Sequence, residues 1–202
     1  MQESSWIRPS DLIGTHGARP KLPDMALRQR KLLRRKQLLE DQLLKQRHPA
    51  AYRHIQEYVS RRRDTREAKL HQILQEIAQD AELHELRFFV ESRVKHFYSI
   101  YRKMIAGGKP LSRIYDMLGL RFICNDIESC YRLLEIVHRI RRPVDGRLKD
   151  YIAHPKPNGY RSIHTTVSDA DGTTLEIQIR TFPMHVVAEV GPAAHPAYKY
   201  EE

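Results

Sequence analysis

The stretch SIHTTVSDADGTTLEIQIRT, residues 162–181, decides the fold that we predict for this chain. The first run, SIHTTV, is rich in β-branched residues, and the last run, TTLEIQIRT, alternates apolar and polar residues as a strand does. The intervening DADG is typical of a hairpin turn. We therefore predict two antiparallel strands. Successive side chains of a strand point to opposite faces, which separates Leu175, Ile177 and Ile179 from Glu176, Gln178 and Arg180.

The segment RLKDYIAHPKPNGYRSIH, residues 147–164, leads into the first of these strands. Pro155, Pro157 and Gly159 interrupt any helix, so we predict a shaped loop. In such a loop, Lys and Arg can bind phosphate and a Tyr ring can stack on a base, although an ordinary basic surface loop has the same composition. The candidate binding residues are Lys156, Asn158, Tyr160 and His164, of which the histidine is otherwise typical of a structural role.

Strand and helix patterns also occur upstream of this loop. The run IYDMLGLRFIC, residues 114–124, predicts a strand with Asp116 at its start and Arg121 inside it. DIESCYRLLEIVHRI, residues 126–140, predicts a helix with an acidic first turn and a basic last turn. SRVKHFYSIYRKMIAGG, residues 92–108, predicts a strand edge entering a helix that its two final glycines close. The mixture indicates an α+β fold.

The first 90 residues have a different texture. Residues 1–24 combine prolines and glycines with little apolar periodicity, which predicts a flexible lead-in. Residues 25–46 predict a basic amphipathic helix, and residues 50–90 predict two or more further helices that cover a sheet. The basic helix would suit RNA, a membrane, a partner chain or simply a solvated face on a packed helix. Its apolar side is Leu27, Leu32, Leu39 and Leu43, widened by Leu33, Leu38 and Leu44, and its basic side is Arg28, Arg30, Arg34, Arg35 and Lys36.

Composition restricts the classes of function. A net charge of +10 and a pI near 9.7 favour polyanionic partners such as nucleotides or nucleic acid. The sequence contains neither an apolar run long enough to span a bilayer nor a signal peptide. Cys124 and Cys130 lack metal-ligand spacing, so we expect reduced thiols and a cytoplasmic protein. The absence of a Ser-His-Asp arrangement, a P-loop and a Cys-His cluster removes support for hydrolysis by a nucleophilic side chain.

Two further constellations could carry chemistry. Cations along a strand-to-helix junction would hold a triphosphate together with the backbone amides of the helix start, unless they form a solvated basic helix. Acids on an otherwise apolar sheet are costly unless paired or metal-bound, so Asp116 and Glu176 predict either a magnesium site or salt bridges to Arg121 and Arg180. The junction residues are Arg93, Lys95, Ser99 and Lys103.

These motifs, in this order, resemble the synthetase domain of RelA/SpoT-type (p)ppGpp synthetases over roughly residues 91–199. The matching runs are KHFYSIYRKM, IYDMLGLRF, RLKDYIAHPKPNGYRSIHTTV, EIQIRT and MHVVAEVGPAAHPAYK. The resemblance implies a mixed β-sheet flanked by helices, related to nucleotidyltransferases, with residues 91–202 as the catalytic core and residues 25–90 as a helical segment. The implied reaction transfers the β,γ-pyrophosphate of ATP to the ribose 3′-hydroxyl of GDP or GTP, with Mg²⁺ as cofactor.

The resemblance also implies a role for each matching position. Asp116 corresponds to the magnesium ligand, and Glu176 to the acid near the acceptor hydroxyl, a general base or second metal contact. Tyr160 corresponds to the ring that stacks on the acceptor purine. The ATP-binding set is Arg93, Lys95, Ser99, Lys103 and Arg121. The acceptor-binding set is Lys149, Lys156, Asn158, Tyr160, His164 and Gln178.

Some features depart from the family pattern or leave alternatives open. Pro192 and Pro196 replace Val and Trp of the long members, and Val94 replaces a usual Pro. Neither a hydrolase motif nor carboxy-terminal regulatory domains are recognised, which implies a small stand-alone synthetase or an excised piece. The alternatives for function are a toxin-type relative acting on adenosine nucleotides or the tRNA 3′ end, and a decayed nucleotide- or RNA-binding module. Membrane partners are not expected, whereas tRNA and a homo-oligomer stay open.

Overall fold

The computed structural model describes residues 23–61, 63–108, 110–111, 118–169 and 171–191. Three helices come first: α1 (Asp24–Arg47), α2 (Pro49–Ser60) and α3 (Arg63–Leu83). They are followed by β1 (Phe88–Val94), α4 (Phe97–Gly107), β2 (Leu118–Cys124) and α5 (Ile127–Ile140). The last elements are β3 (Arg142–Pro143), β4 (Lys149–Asp150), β5 (Ile163–Ser168), β6 (Thr174–Thr181) and α6 (Phe182–Val190). The predicted α+β class is confirmed.

The strands form one mixed, six-stranded sheet in the order β1-β2-β6-β5-β3, and β4 also pairs with β5. Strands β2 and β6 run parallel, and the other pairs are antiparallel. The hairpin predicted from residues 162–181 is confirmed as β5 and β6. A 2.9 Å hydrogen bond from the Asp169 N–H to the Thr173 carbonyl closes the turn between the two strands. Gly172 adopts the positive φ, +77°, that this turn requires.

One face of the sheet forms the main hydrophobic core. The apolar side chains of β2, β5 and β6 pack there with α3 and α5. Burying each such side chain stabilises the fold by about 1.5–3 kcal/mol relative to leaving it exposed. The predicted alternation in β6 is confirmed, because its apolar positions belong to this core. The central members are Phe122, Leu133, Ile163, Ile177 and Ile179, none of which retains solvent exposure.

The predicted helix at residues 126–140 is confirmed as α5, with the expected charge distribution at its ends. Asp126 caps it by accepting a 2.7 Å hydrogen bond from the Ser129 N–H, and Glu128 lies in the first turn. His138 and Arg139 lie in the last turn. The helix predicted to follow residue 92 is also confirmed as α4, and Gly108 ends it with a φ of +55°.

Helix α1 exposes most of its apolar stripe, of which only Leu33 is half-buried and Leu44 buried among the leucines named above. Leu32, Leu38 and Leu39 each expose 60% or more of their surface. Among the described side chains of α1, the half-buried and buried ones include Arg30, Glu40, Asp41 and Leu44. The amphipathic pattern therefore predicted the helix but not which of its sides faces the domain, since that side combines Leu44 with polar residues.

The end of the predicted helical zone, residues 50–90, is wrong. The last long helix ends at Leu83, and β1 begins at Phe88, four residues before the strand edge predicted at residue 92. Phe88 and Val90 are buried in the main core, so their packing extends the strand towards its amino-terminal end. Of the predicted features, nearly all of the lead-in 1–24, Asp116, Pro192 and Pro196 lie outside the described residues.

A smaller core joins the amino-terminal helices to α4. Leu44 of α1, Ile55 of α2 and Ile100 of α4 are buried together with Leu111. The small core thus attaches α1 and α2 to α4, the helix that follows edge strand β1.

Within the described ranges, none of the helices is both long enough and apolar enough to cross a bilayer.

Candidate active site

The face of the sheet opposite the main core is polar, and the strand register aligns its residues in two rows. In the first row, Arg93 of β1 pairs with Gly119 of β2, which pairs with Glu176 of β6. The second row crosses more strands because β4 extends it. It runs Glu91, Arg121, Gln178, His164 and Lys149. Predicted donor, acceptor and acidic positions from distant parts of the sequence therefore meet on adjacent strands.

Glu176 lies half-buried within this polar face. Its Oε1 is 3.3 Å from Nδ1 of His164 and accepts a hydrogen bond from Nε2 of Gln178 at 3.4 Å. The carboxylate is thus oriented by two residues of the predicted acceptor set. Because an ionised carboxylate has several acceptor sites, this arrangement suits a general base or an oxygen ligand for a hard cation.

Gly119, the neighbour of Glu176 across the parallel pair, was not singled out from the sequence. A Cβ at this position would lie 2.9 Å from the backbone oxygen of Glu176 and 3.7 Å from its Cβ. Only glycine fits without displacing one of the strands. The absence of a side chain also leaves the face uncovered beside the carboxylate. The signal that could have found Gly119 is the isolated glycine within an apolar strand, which often marks close backbone approach.

The loop before β5 brings together three aromatic rings. The hydroxyl of Tyr160 is 2.7 Å from Nε2 of His164, and the ring of Tyr151 meets both rings edge to face. Nζ of Lys156 lies 4.7 Å from the centroid of the Tyr151 ring and 5.7 Å from that of Tyr160. A cation over aromatic faces beside an oriented carboxylate is suited to a purine nucleotide, whose base stacks and whose phosphates need positive charge.

Two residues of this loop have roles that the sequence did not reveal. Asn158 shapes the backbone, because its Oδ1 accepts a 3.1 Å hydrogen bond from the Tyr160 N–H while Gly159 adopts a φ of +76°. Tyr151 lies in the same loop and was not predicted as a site residue. Its contacts with Lys156, Tyr160 and His164 place it inside the cluster.

The predicted donor line runs from the end of β1 into α4. Arg93 occupies β1, Lys95 lies in the connection, and Ser99 and Lys103 are four residues apart on α4, on one side of the helix. Ser99 Oγ is 3.2 Å from Nδ1 of His96. The helix start was expected to offer its amides to phosphate, but the Tyr98 N–H instead donates to Asp41 Oδ1 at 2.7 Å.

Half-buried Arg121 and buried Arg180 form a charge network with two half-buried acids that the sequence did not point to. Nη1 of Arg121 lies 3.3 Å from Glu91 and 3.2 Å from Glu189, and Nη2 of Arg180 lies 3.3 Å from Glu189. The contacts of these arginines in the described residues are thus with Glu91 and Glu189, whereas the predicted pairing with Asp116 lies outside the described residues. Burial, together with Arg121, lowers the pKa of Arg180 to about 10, which still leaves it charged at neutral pH.

Glu189 is the acid that both guanidiniums share. Burial acts to raise the pKa of its carboxyl, but Arg121 and Arg180 outweigh burial and hold that pKa below its usual range. A charged Glu189 on α6 thus ties this helix to β2 and β6. The network fixes Arg121 within the second row, between Glu91 and Gln178.

Of the two acids implied as magnesium ligands, Glu176 belongs to the described residues and Asp116 does not. In the described ranges, no group of three or more His, Cys, Asp and Glu side chains is arranged to hold a metal ion. Glu176 offers carboxylate oxygens, which suit magnesium. Asp116 precedes β2 in the sequence and lies outside the described residues. The residue types present are therefore compatible with a magnesium ion held by two acids.

Comparison with solved structures identifies the fold. Small alarmone synthetase 1 from Bacillus subtilis, solved bound to its product pppGpp, superposes with a TM-score of 0.55 at 28% identity over 73% of this chain and 84% of that one. A GTP pyrophosphokinase family protein from Streptococcus pneumoniae gives a TM-score of 0.56 at 27% identity over 72% and 77% of the two chains. The sheet and its helices thus have the synthetase fold.

The sequence comparisons identify the family. The region described as "Region found in RelA / SpoT proteins" matches residues 92–202, so the chain belongs to the RelA/SpoT family. It is 44% identical over 165 residues to guanosine-3′,5′-bis(diphosphate) 3′-pyrophosphohydrolase of Borreliella burgdorferi, covering 81% of this chain and 25% of the relative. It is 43% identical over 163 residues to the GTP pyrophosphokinase of Streptomyces coelicolor, covering 81% and 19%. The chain thus spans about a quarter or less of these relatives.

Proposed function

We propose that this chain is an ATP:guanosine-nucleotide 3′-pyrophosphokinase that makes ppGpp or pppGpp. The observation that carries the proposal is the sequence of contacts from Tyr160 through His164 to Glu176 on the polar face. It joins a ring suited to base stacking to a carboxylate suited to act on a ribose hydroxyl. The matched family region contains all three residues, and the related synthetase of Bacillus subtilis was solved with pppGpp bound.

The proposed reaction is an in-line transfer. Glu176 accepts the proton of the acceptor's 3′-hydroxyl, whose oxygen attacks the β-phosphorus of ATP. The bond between that phosphorus and the oxygen bridging to the α-phosphorus breaks, and AMP leaves. Such transfers depend on positioning and charge neutralisation more than on covalent catalysis, which fits a face of cations, an acid and aromatic rings.

The cations and aromatic residues divide between the two nucleotides. On the donor side, Arg93, Lys95, Ser99, Lys103 and Arg121 bind ATP. On the acceptor side, Tyr160 stacks on the guanine, and Lys149 and Lys156 attract the 5′-phosphates. His164 and Gln178 orient Glu176, while Asn158 holds the loop in shape. Magnesium, bound by Asp116 and Glu176, would neutralise charge on the transferred phosphates.

Some relatives are named for a hydrolase activity, and two observations favour synthesis over hydrolysis for this chain. The family match begins at residue 92 and covers the polar face with Glu176. The structures that share this fold over most of their length include small alarmone synthetase 1 from Bacillus subtilis and a GTP pyrophosphokinase family protein from Streptococcus pneumoniae. Both support pyrophosphate transfer as the activity of this face.

The test is an acceptor assay with ATP labelled on the γ-phosphate. GDP, GTP, AMP, ADP and tRNA are offered separately, and the products are separated by chromatography. The expected result is label on GDP or GTP together with an equal amount of AMP. Label only on adenosine nucleotides or tRNA would establish the toxin-type alternative instead. No transfer to any acceptor, with nucleotide binding retained, would indicate a binding module.

A further inference from the structure

The start of α4, the helix of the proposed donor site, is capped by a different helix. His96, the N-cap residue of α4, makes no side-chain capping hydrogen bond of its own. Instead, Oδ1 of Asp41 from α1 accepts the Tyr98 N–H at 2.7 Å. Since the first amides of a helix have no partners within it, an acid at this point satisfies a donor and complements the helix dipole. Asp41 therefore sets where α4 begins.

A second contact from α1 reaches a residue of the proposed donor site through His96. Oε2 of Glu40 is 3.2 Å from Nε2 of His96, and Oγ of Ser99 lies against the same ring, 3.2 Å from Nδ1 and 3.1 Å from Nε2. Burial lowers the pKa of His96 although Asp41 and Glu40 act to raise it, so the imidazole is neutral at pH 7. With its proton on Nε2, the imidazole donates to Glu40 and accepts from the Ser99 hydroxyl. Glu40 thereby orients Ser99.

A third contact lies nearer the amino terminus of α1. Nη2 of Arg30 is 3.5 Å from Oε1 of Glu91, whose Oε2 is 3.3 Å from Nη1 of Arg121. Ten residues separate Arg30 from Glu40, which corresponds to roughly 15 Å along a helix. Helix α1 thus contacts the proposed donor site at both of its structural components, the β1–β2 strands and the start of α4.

We propose that Asp41 and Glu40 of α1 are positioning residues for the donor nucleotide, acting through Tyr98 and His96 on the placement of Ser99 and Lys103. Helix α1 lies outside the matched family region, which begins at residue 92. The inference rests on the proposed function, because it assumes that α4 binds ATP. A small misplacement of a binding helix weakens contacts made by every side chain on it, so the loss exceeds that of one hydrogen bond.

The experiment compares Asp41→Ala with Asp41→Asn in the full chain. Alanine removes the acceptor for the Tyr98 N–H, whereas the asparagine oxygen can still accept it. We expect Asp41→Ala to raise the KM for ATP about fivefold or more, with the acceptor KM within about twofold of wild type. Asparagine should restore most of the ATP affinity. Calorimetric titration with a non-hydrolysable ATP analogue should give the same ranking without any turnover.

Two further variants make the test specific. Glu40→Ala leaves the Tyr98 cap intact and should also weaken ATP binding, so it serves if Asp41→Ala fails to fold. Asp80→Ala is the matched control: Asp80 is a partly buried acid on α3 that pairs with Arg139 and His84. It should leave both KM values unchanged.

Three results would overturn the inference: unchanged analogue binding in folded Asp41→Ala and Glu40→Ala, equal increases in both KM values, or an equal effect of Asp80→Ala. These results are distinct from failure of the proposed function. If the wild type binds the ATP analogue but transfers nothing to GDP or GTP, the proposed function is wrong. The ranking of analogue affinities among the variants still tests the positioning role of Asp41 and Glu40.

Discussion

Nδ1 of His164 lies 3.3 Å from Oε1 of Glu176, while Nε2 of the same ring lies 2.7 Å from the hydroxyl of Tyr160. With the proton on Nδ1, the imidazole accepts from the tyrosine and donates to the carboxylate. One side chain thus connects the ring proposed to stack on the acceptor base with the acid proposed to activate its ribose. Strand register produces the arrangement, because His164 and Glu176 occupy neighbouring strands two positions out of line.

Replacing His164 should affect the acceptor more than the donor. We expect His164→Leu to raise the acceptor KM and to lower kcat about tenfold or more, because Tyr160 and Glu176 both lose their contact with the imidazole. The KM for ATP should stay within about twofold of wild type. Steady-state kinetics with each nucleotide varied in turn provides the measurement, and an equal increase in the two KM values would contradict the assignment.

Glu176→Gln should stop pyrophosphate transfer without unfolding the protein. Glutamine has nearly the same shape and can keep the contact with Gln178, but it cannot take up a proton. General-base catalysis typically contributes about 10²–10⁴-fold, and we expect a loss of that size in kcat. Thermal unfolding and binding of the ATP analogue should remain close to wild type. Full activity in this variant would refute Glu176 as the base.

Tyr151 offers a test of the aromatic cluster that does not touch the stacking ring. Tyr151→Leu removes the ring beneath the Lys156 ammonium and beside Tyr160, so the acceptor KM should rise about two- to fivefold. Tyr151→Phe retains the ring and should behave like wild type. If phenylalanine were as harmful as leucine, the hydroxyl rather than the ring would be responsible.

Gly119→Ala should destabilise the fold and reduce activity together. The new methyl group would lie 2.9 Å from a backbone oxygen of Glu176, so a strand must shift. We expect a loss of about 1–3 kcal/mol in the free energy of unfolding, measured with urea. Gly108→Asn is the control, because nothing lies within 4 Å of a Cβ there and asparagine tolerates positive φ. Equal effects of both substitutions would rule out the steric explanation.

His185 should make stability depend on pH. Burial, reinforced by Arg180, lowers the pKa of His185 to about 4, and its Nδ1 accepts a 2.6 Å hydrogen bond from Arg180. Between this value and an unfolded pKa near 6.5, the unfolded chain binds more protons, so stability rises with pH and is lost as pH falls from about 6.5 to 4. The full difference corresponds to roughly 3 kcal/mol.

Urea unfolding at several pH values in this range would measure the effect of His185. Besides Arg180, the charged groups that act on the imidazole are Glu91, Glu189 and Arg121, and all of them are kept in a variant that replaces only His185. His185→Gln should flatten the pH dependence relative to wild type. An unchanged slope would show that other groups cause the acid sensitivity.

Local patterns were sufficient where neighbouring residues alone decide the structure. The hairpin of residues 162–181, helix α5 and the glycine end of α4 were predicted correctly, because periodicity, caps and turn residues act within a few positions of each other. Helix α1 shows the limit of such patterns. Most of its leucines are exposed, whereas Leu44 packs in the small core with α4, and Glu40, Asp41 and Arg30 make polar contacts with α4 and β1.

The sequence by itself determined strands β2, β5 and β6, most of the shaped loop and the kinds of chemical group that the candidate site uses, since these follow from local composition and from resemblance to a family. Only the tertiary structure decided that Gly119 lies beside Glu176, that His164 connects Tyr160 to this acid, and that Glu189 pairs with both Arg121 and Arg180. The physical reason is that strand order and register arise from packing between distant segments. A local sequence pattern does not contain that information.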